Sequence, residues 1–526
     1  MFVIETNDVP IDGLNETCDV CIVGAGAAGL YLATKLTRAG HSVVILEAGN
    51  HTPRADVDLG LEASIETTEY RGSSHGRFFG LGGSTTRWGG LVMSHSEFDR
   101  RPLCKATLDA WDCILDTVTA QQNSVAKQLG LDSPRKYENV ASRFVTTAEN
   151  QLAKNGLVVR AAEFLPFKKK NLAFLLDDVK HHKGNLKIFL NAVTCKWNLA
   201  TKGTLTTATE LIATAENRPI RVQANTFVLA AGAIESTRML LELRRKCPLV
   251  GSDSLGKKLS DHLSSTVGFV PRSDALNCIR LFGPRFLHGR MRSFRFLRKD
   301  VTSTSLPRFF AHFIFDSDQP GFRLAKKIMG NVQSRQSQSI SVSDLLYGTT
   351  GLFRIGADRL LRNRLHISAR TPIRLQLDVE QEPDTANQIQ LTDELDRYGR
   401  PKAKIHWSIQ PSDYANIDSI SKWLIEAWDD KGGLPRVTAL DHSSVESSKP
   451  HDAYHPVGTC AIGVSQDAVV QKDLKVNGTS NLFVLSTAVF PTAGTANPTF
   501  SMLCLGEELS HYLAKRLKQQ HVAIVG

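Results

Sequence analysis

Three glycines near the N-terminus have the spacing of a dinucleotide-binding loop. Gly24, Gly26 and Gly29 form a GxGxxG pattern, with Ala27 and Ala28 inside it, directly after an apolar run. In this pattern the first glycine permits a tight turn, the second lets the backbone approach a pyrophosphate, and the third lets a helix pack closely on a sheet. The positive end of that helix favours phosphate groups. The sequence therefore predicts a dinucleotide site at this loop.

A carboxylate follows the second apolar run after the loop. In VVILEAG, Glu47 stands where a strand is expected to end, with Ala48 beside it. Such a carboxylate can accept hydrogen bonds from the ribose hydroxyls of adenosine, and its charge disfavours a 2′-phosphate, so NADP does not suit the site. The order of apolar run, glycine turn, amphipathic run and apolar run predicts a βαβ unit. A glycine turn that served packing alone would leave Glu47 unexplained.

Length and charge limit the number of domains and the kinds of partner that the chain is expected to have. The 526 residues suggest two or more joined domains of ordinary globular composition. Seven basic residues lie between Arg280 and Lys299, among Phe, Leu and Met. This stretch could face an anionic substrate, a membrane or nucleic acid, but its composition favours a strand or helix whose apolar residues pack inward.

The sequence shows no targeting or membrane-spanning pattern. The segment MFVIETNDVPIDG lacks a basic part followed by an apolar part, and no run of about 18 apolar residues occurs. We therefore expect a cytoplasmic protein without a transmembrane segment. The nine cysteines are scattered, which indicates reduced thiols. Cys18 and Cys21 form a CxxC pair, but they flank an apolar strand, so we expect neither a metal nor a redox site there.

The rest of the chain predicts a mixture of α and β structure. Residues 94–187 have a mostly helical pattern, and residues 266–449 combine strand-like alternation with basic helices, so an inserted antiparallel sheet is expected. A strand before AAGAIE leads through Ala231 and Gly232 into a helix. The small residues of that turn fit either a close approach to a cofactor or strand-to-helix packing. Near the C-terminus, Pro498 is predicted as a first helical residue with Asn497 as its N-cap.

Five ordered blocks of the sequence resemble one known family. They are DVCIVGAGAAG…VVILEAG, GLGGSTTRWGG, FVLAAGAIESTRMLL, HPVGTCAIG and NLFVLSTAVFPTAGTANPTF. Together they are similar to the glucose-methanol-choline (GMC) family of FAD-dependent oxidoreductases, and within it to the bacterial, pyranose-oxidase-like branch. The resemblance implies an α/β fold in which a Rossmann-like FAD-binding domain is assembled from discontinuous segments, with an inserted α+β substrate domain.

The resemblance also implies domain boundaries. The FAD-binding domain is expected to consist of residues 1–100, 185–265 and 450–526. Residues 101–184 are expected to form a helical lid or substrate segment, and residues 266–449 are expected to form the substrate domain.

The same resemblance assigns a catalytic pair. His455 of HPVGT matches the family's catalytic histidine, and Asn497 of ANPTF matches a second position that holds Asn or His. Oxidation of an alcohol needs a base beside the hydroxyl group, and a neutral histidine suits that role. His451 is a competing candidate, and the predicted capping role of Asn497 competes with a role in holding substrate.

The implied FAD contacts follow from the matching blocks. The residues expected to contact FAD are Gly24, Gly26, Ala27, Ala28, Gly29, Glu47, Ala48, Gly82, Gly83, Ser84, Arg87, Trp88, Gly89, Gly90, Val193, Ala231, Gly232, Ser486, Thr487, Asn497, Pro498 and Thr499. The five glycines of GLGGSTTRWGG are expected to clear room for the pyrophosphate and the flavin edge, with Ser84 as a donor. Many relatives have Asp or Gly in place of Ser486, which puts a side-chain contact there in doubt.

Arg87 departs from one pattern within the family. In relatives that bind flavin covalently, a histidine just before the tryptophan carries the bond, so Arg87 predicts non-covalent FAD. Its charge could stabilise the reduced flavin, or it could pair with a carboxylate. Glu380, Gln381 and Glu382 resemble a strand end that lines the family's substrate pocket, but the sequence does not show which of them faces inward.

The resulting hypothesis is FAD-dependent oxidation of an alcohol group of a sugar, glycoside or polyol. Oxygen or another electron acceptor would reoxidise the flavin, and no nucleic-acid partner is expected. Two alternatives stay open: a lyase of the same family with a largely structural FAD, and a non-catalytic flavin-binding subunit.

Overall fold

The computed structural model describes residues 2–66, 69–100, 105–132, 148–181, 185–299, 306–316, 320–334, 339–428, 432–440 and 449–525. Its named strands are β1 (Phe2–Ile4), β2 (Leu14–Val23), β3 (Val43–Leu46), β4 (Arg54–Ala55), β5 (Ser64–Ile65), β6 (Phe78–Phe79), β7 (Leu91–Val92), β8 (Leu157–Phe164), β9 (Leu186–Phe189), β10 (Val193–Lys202), β11 (Leu205–Ala215), β12 (Arg218–Leu229), β13 (His262–Phe269), β14 (Arg285–Leu287), β15 (Arg290–Arg298), β16 (Phe309–Phe315), β17 (Ile373–Glu380), β18 (Gln388–Leu395), β19 (Pro401–His406), β20 (Thr438–Ala439), β21 (His451–Asp452) and β22 (Leu482–Val484). Its named α-helices are α1 (Ala27–Arg38), α2 (Asp56–Leu59), α3 (Arg71–Ser74), α4 (Lys105–Leu129), α5 (Gly232–Lys246), α6 (Ala275–Phe282), α7 (Pro320–Ser334), α8 (Val342–Arg362), α9 (Pro411–Ala427) and α10 (Thr499–Val525).

The first sheet is the expected Rossmann-like layer. Its strand order is β1-β9-β3-β2-β12-β11-β10, and β22 also pairs with β12. The pairs that join β1, β9, β3, β2, β12 and β22 are parallel, whereas β10, β11 and β12 form an antiparallel meander. All four residues of β3 are buried, as parallel strands covered on both faces should be. Because the strands come from widely separated parts of the chain, the prediction of a discontinuous FAD-binding fold is confirmed.

The second sheet is antiparallel and larger. Its order is β20-β13-β17-β16-β15-β8-β7, with β14 paired to β15 and β21 paired to β13. Alternate residues of β13 face opposite sides: Leu263 and Val267 join an apolar core with Trp407 and Trp428, while His262 faces His455. This sheet therefore carries an apolar core on one face and polar groups of the candidate site on the other.

The helical prediction for residues 94–187 is only partly correct. Lys105–Leu129 is helical, but Leu157–Phe164 is strand β8, which pairs with β7 and β15. Arg, Ala and Glu in LVVRAAEF favour helix by propensity, and the pairing with β15 overrides that preference. The polar linker LGLDSPRKYEN continues beyond the described residues. The second sheet also takes in His262 from the segment 185–265, and the domain boundaries remain a prediction.

The basic stretch 280–299 forms the end of α6 together with β14 and β15. Phe294 and Phe296 are buried in the second core, in agreement with the inward-packing interpretation. Not all of its charges are solvated, however, because Arg292 is buried and lies 3.2 Å from Glu163 of β8. Part of the basic surplus therefore neutralises a buried carboxylate. None of the helices in the described part of the chain combines the length and the apolar composition that a membrane span requires.

Candidate active site

A cavity of about 570 Å³ opens between the first sheet and the loop that carries His455. Most of the residues predicted to contact FAD line it, and these are Gly24, Gly26, Ala27, Ala28, Glu47, Ala48, Gly83, Ser84, Arg87, Trp88, Gly89, Gly90, Val193, Ala231, Gly232, Ser486, Thr487, Asn497 and Thr499. The N-termini of α1, α5 and α10 all reach the cavity wall. Helix N-termini favour anionic groups, so the cavity is suited to a pyrophosphate.

The glycines of this wall divide into two kinds. A Cβ at Gly29 would overlap the carbonyl oxygen of Gly24, and one at Gly24, whose φ is +105°, would lie 2.6 Å from the carbonyl oxygen of Ala230. A Cβ at Gly26 or Gly232 would instead enter open space on the cavity side. The first kind makes the turn and the packing possible, and the second kind leaves room for a ligand. The residues present therefore fit a dinucleotide cofactor.

Three residues predicted to contact FAD, Gly29, Gly82 and Pro498, do not line the cavity. Gly29 lies in the first turn of α1, where its lack of a side chain lets the helix pack against the carbonyl group of Gly24. At Gly82, a Cβ would overlap the side-chain oxygen of Asn171, so the glycine makes room for a protein group. Pro498 accepts the hydrogen bond from Met502 N, and helix α10 begins one residue later than predicted.

Glu47 is held rigidly at the cavity edge. Its side chain is 4% exposed, and its carboxylate accepts hydrogen bonds from Ala25 N at 2.6 Å and from Gly49 N at 2.9 Å. Burial raises the pKa of Glu47, and these backbone amides act in the opposite direction. The carboxylate thus braces the glycine loop and remains on the cavity wall, where its predicted contact with a ribose stays a prediction.

A hydrogen-bonded chain of two histidines forms the opposite end of the cavity. His262 Nε2 lies 2.9 Å from Gly494 O, and the Nδ1 atoms of His262 and His455 lie 3.0 Å apart. A carbonyl oxygen only accepts, so His262 carries its proton on Nε2 and its neutral Nδ1 must accept from His455. This assignment leaves the lone pair of His455 on Nε2, next to Asn497 Nδ2 at 3.3 Å.

Burial keeps this pair neutral. Desolvation chiefly, with a smaller contribution from His262, lowers the pKa of His455 to about 3, and desolvation also lowers the pKa of His262. A neutral His455 with its lone pair on Nε2 can accept a proton from a hydroxyl group placed at that atom. Asn497 donates toward the same atom and lies where it could hold the hydroxyl oxygen.

A buried carboxylate positions both histidines. Asp261 accepts from His262 N at 2.7 Å, from His455 N at 2.8 Å and from the hydroxyl of Tyr70 at 2.8 Å. The loop that carries His455 is therefore tied to the first residues of β13. His451 pairs in register with Ser264 and does not line the cavity, so the geometry favours His455 over this competitor.

Two family models match segments of the chain that contain residues of this site. A family model described as GMC oxidoreductase matches residues 383–506, and one described as an NAD(P)-binding Rossmann-like domain matches residues 22–55. A 6'''-hydroxyparomomycin C oxidase of Streptomyces lividus is 22% identical, and the match covers 96% of this chain and 93% of that protein. A C-glycoside 3-oxidase of Microbacterium trichothecenolyticum is 28% identical over 24% of this chain and 23% of its own length.

Solved structures agree in fold. Pyridoxine 4-oxidase from Mesorbium loti has a TM-score of 0.57 at 17% identity, covering 94% of this chain and 99% of its own. A formate oxidase variant of Aspergillus oryzae RIB40 that was solved to study FAD modification has a TM-score of 0.56 at 15% identity, covering 96% and 99%. The chain belongs to the GMC oxidoreductase family. It is an FAD-dependent oxidoreductase that acts on CH–OH groups.

Within this GMC oxidoreductase, the loop GLGGSTTRWGG lines the cavity beside the glycine turn before α1, where Gly82 N donates to Ala25 O at 2.9 Å. Arg87 lines the cavity and places its guanidinium 5.5 Å from the ring centre of Phe78. Trp88 Nε1 donates to Lys170 O at 2.7 Å. The hydroxyl of Ser84 donates to Gly76 O at 3.0 Å, so the proton expected to reach FAD is used within the protein.

Sequence reasoning missed a charged cluster on the wall of this oxidoreductase. Glu235 lies 3.1 Å from Arg400, 3.6 Å from Arg77 and 2.8 Å from Arg238, and it lines the cavity with the first two. Burial raises the pKa of Glu235, but the guanidinium groups of Arg238, Arg400 and Arg77 outweigh it and lower the pKa to about 2. The three cavity-lining members lie far apart in the sequence, which carries no local signal for the cluster.

The remaining candidates of the family pattern lie outside the cavity. Glu380 forms a two-point ion pair with Arg308, with both nitrogen–oxygen distances at 2.7 Å. The side-chain amide of Gln381 donates a hydrogen bond to Ser408 O, and the carboxylate of Glu382 accepts one from the side-chain amide of Asn416. None of the three lines the cavity. Ser486 does line it, and its hydroxyl oxygen accepts from Ala488 N to cap a short 3-10 turn.

Proposed function

We propose that this GMC oxidoreductase oxidises an alcohol group of a sugar, glycoside or polyol to a carbonyl. The observation that carries the proposal is the tautomer of His455, whose Nε2 lone pair faces the cavity beside Asn497. His455 accepts the hydroxyl proton, and Asn497 orients the hydroxyl oxygen. When bound, FAD supplies a hydride acceptor at its N5 atom.

The substrate class is supported by two relatives named for carbohydrate-like substrates. They are the 6'''-hydroxyparomomycin C oxidase and the C-glycoside 3-oxidase. Because both are named as oxidases, oxygen is the first acceptor to test, and another acceptor is the alternative. We further propose cytoplasmic localisation and no nucleic-acid partner.

We also propose that FAD is bound non-covalently. Arg87 occupies the position before Trp88, and a guanidinium cannot form the histidyl link of the covalent relatives. Acid precipitation of the purified yellow protein should leave the flavin in the supernatant. Colour that stays with the pellet would contradict this proposal.

The catalytic proposal is tested by anaerobic reduction of the bound flavin. Sugars, glycosides, polyols and pyridoxine are mixed with the holoenzyme, the flavin absorbance is followed, and oxygen is then admitted. We expect one carbohydrate class to bleach the flavin in the wild type, with His455→Ala slowing bleaching at least about 10²-fold at unchanged FAD content. Full-rate bleaching in His455→Ala would exclude this residue as the base.

The same screen separates the lyase alternative. A lyase with structural FAD would convert a substrate while the flavin stays oxidised. Bleaching by pyridoxine rather than by any carbohydrate would keep the alcohol oxidation and remove the carbohydrate assignment.

A further inference from the structure

The helices α7 (Pro320–Ser334) and α8 (Val342–Arg362) form a hairpin with an unusual outer surface. They pack closely on one another at Gly321 and Gly351, where a Cβ on either glycine would lie 2.5 or 2.6 Å from the other backbone. This close contact fixes which side of α8 faces α7. The opposite side of α8 is therefore turned away from its neighbour.

Large apolar side chains cover that outer side. Leu346, Phe353 and Leu360 follow each other at intervals of seven residues, which is two helical turns, and all three are exposed. Phe353 is 78% exposed and Leu360 and Leu361 are 82% and 83% exposed. Among the described residues, about half of the exposed large apolar side chains belong to this hairpin. Contiguous apolar surface of this kind marks an interaction site.

The hairpin also carries most of the chain's excess charge. Residues 320–364 contain eight Lys and Arg residues against two Asp, a net charge of +6, whereas the whole chain has +10. Lys326, Arg354 and Arg359 lie exposed on the same two helices. A helix with an exposed apolar stripe, basic flanks and little overall hydrophobicity has the properties of one that lies in a lipid–water interface.

We propose that the outer face of the α7–α8 hairpin docks on an anionic lipid surface. The apolar stripe enters the boundary between headgroups and acyl chains, and the basic residues meet the negative headgroups. A second copy of the chain is disfavoured because the segment 320–364 of each copy carries a net charge of +6, and two such segments would repel each other. Nucleic acid is disfavoured because it offers no apolar surface to cover Phe353, Leu360 and Leu361.

The hairpin is tied to the cofactor end of the molecule. Gln333, near the end of α7, donates to Thr85 O at 3.0 Å and to Trp88 O at 2.9 Å, and Trp88 lines the cavity. Docking of the hairpin would thus hold the GLGGSTTRWGG side of the cavity close to the lipid. The proposal does not depend on the identity of the alcohol substrate.

The test is flotation of the holoenzyme with lipid vesicles. Phosphatidylcholine vesicles, with and without a one-third share of phosphatidylglycerol, are compared at low and high salt. The wild type is expected to float only with the anionic vesicles and to be released by salt. In F353S/L360S/L361S, the partition coefficient should fall by more than about tenfold, and in K326Q/R354Q by about fivefold for each charge removed.

The control triple variant I11S/V57S/L276S removes apolar groups of comparable exposure outside the hairpin and should float like the wild type. Flavin absorbance and Tm confirm that each variant is folded. Absence of flotation by the wild type, or equal flotation by the hairpin and control variants, would overturn the proposal. So would a hairpin variant that changes only the apparent mass in gel filtration, because the face would then join two copies.

Discussion

The two ends of the main cavity are built in different ways. At the end formed by α1, main-chain groups and missing side chains shape the wall, as at Gly24 and Gly26. At the end formed by His455, a side chain acts through a second side chain, His262, and a carbonyl group of a distant loop. A wall made of backbone depends on a short stretch of sequence, whereas the histidine chain depends on the pairing of β13 with β21 and on the distant loop that carries Gly494.

The largest effect is expected from a change at the backbone end. Gly29→Ala places a methyl group against the carbonyl of Gly24, so it should destabilise the fold by about 3 kcal/mol and abolish FAD binding. Gly26→Ala is the matched control, because its methyl group enters open space. It should keep the Tm of the FAD-free protein and lose FAD affinity alone. Flavin content after purification and Tm distinguish the two, and full flavin occupancy in Gly29→Ala would contradict this division.

The next largest effect is expected on kcat, from a substitution at the end of the cavity formed by His455. His262→Phe removes the acceptor for His455 Nδ1, so kcat should fall about 10²-fold with KM and FAD content little changed. His262→Gln keeps an acceptor and should recover part of the rate. Because His262 also contributes to the lowered pKa of His455, the acid limb of the pH–rate profile should move to higher pH in His262→Phe.

His451→Phe serves as its control. This histidine lies on β21 outside the cavity, and its replacement should leave kcat within about twofold of the wild type. An unchanged pH profile in His262→Phe, or equal losses in both variants, would reduce His262 to a packing role.

These two predictions show what the sequence could and could not reveal. The positions of the glycine loop and Glu47 on the cavity wall could be predicted from the sequence, because both belong to one βαβ unit. His262 stands in LSDHL without a distinctive spacing, and only the pairing of β13 with β21 brings it to His455. The cluster of Glu235, Arg77 and Arg400 is likewise the product of long-range packing.

The fold shows the same division. The first sheet follows from apolar runs and turns, which are local signals. Strand β8 was predicted as helix, because LVVRAAEF has helical propensity and acquires its strand conformation from β15. The hairpin between β18 and β19 has a local signal of this kind, because the sequence that joins the two strands, DELDRYGRP, contains its own turn residues.

Acidification is expected to have a smaller effect, which is a decrease in the free energy of unfolding. Desolvation lowers the pKa of His95, His262, His312 and His455, whereas each titrates near pH 6.5 when unfolded. Below about pH 6.5 the unfolded chain binds protons that the folded protein does not, so the free energy of unfolding should fall as the pH falls, and it should be insensitive to these groups above that pH.

The slope should be about 1.4 kcal/mol per pH unit for each histidine. Urea unfolding at pH 5 and pH 7 measures it. His455→Gln should make the slope shallower. An identical slope in His455→Gln would show that this residue is protonated in the folded protein.

The smallest effect is expected from Ser84, whose replacement tests whether the backbone or a side chain of the loop GLGGSTTRWGG binds FAD. The hydroxyl of Ser84 donates to Gly76 O, so Ser84→Ala should cost at most about 1 kcal/mol of stability and leave FAD affinity within about twofold. Flavin titration of the FAD-free protein measures that affinity. A loss of tenfold or more would mean that the hydroxyl turns to the cofactor when FAD binds.

Asp261 makes turnover sensitive to the integrity of the second sheet. One carboxylate joins the first residues of β13 to the loop that carries His455, while the glycine loop of α1 makes no use of it. Slight loosening of the second sheet in mild denaturant would misalign the base before the nucleotide end of the cavity opens. The protein should then pass through a state that is still yellow but no longer turns over substrate.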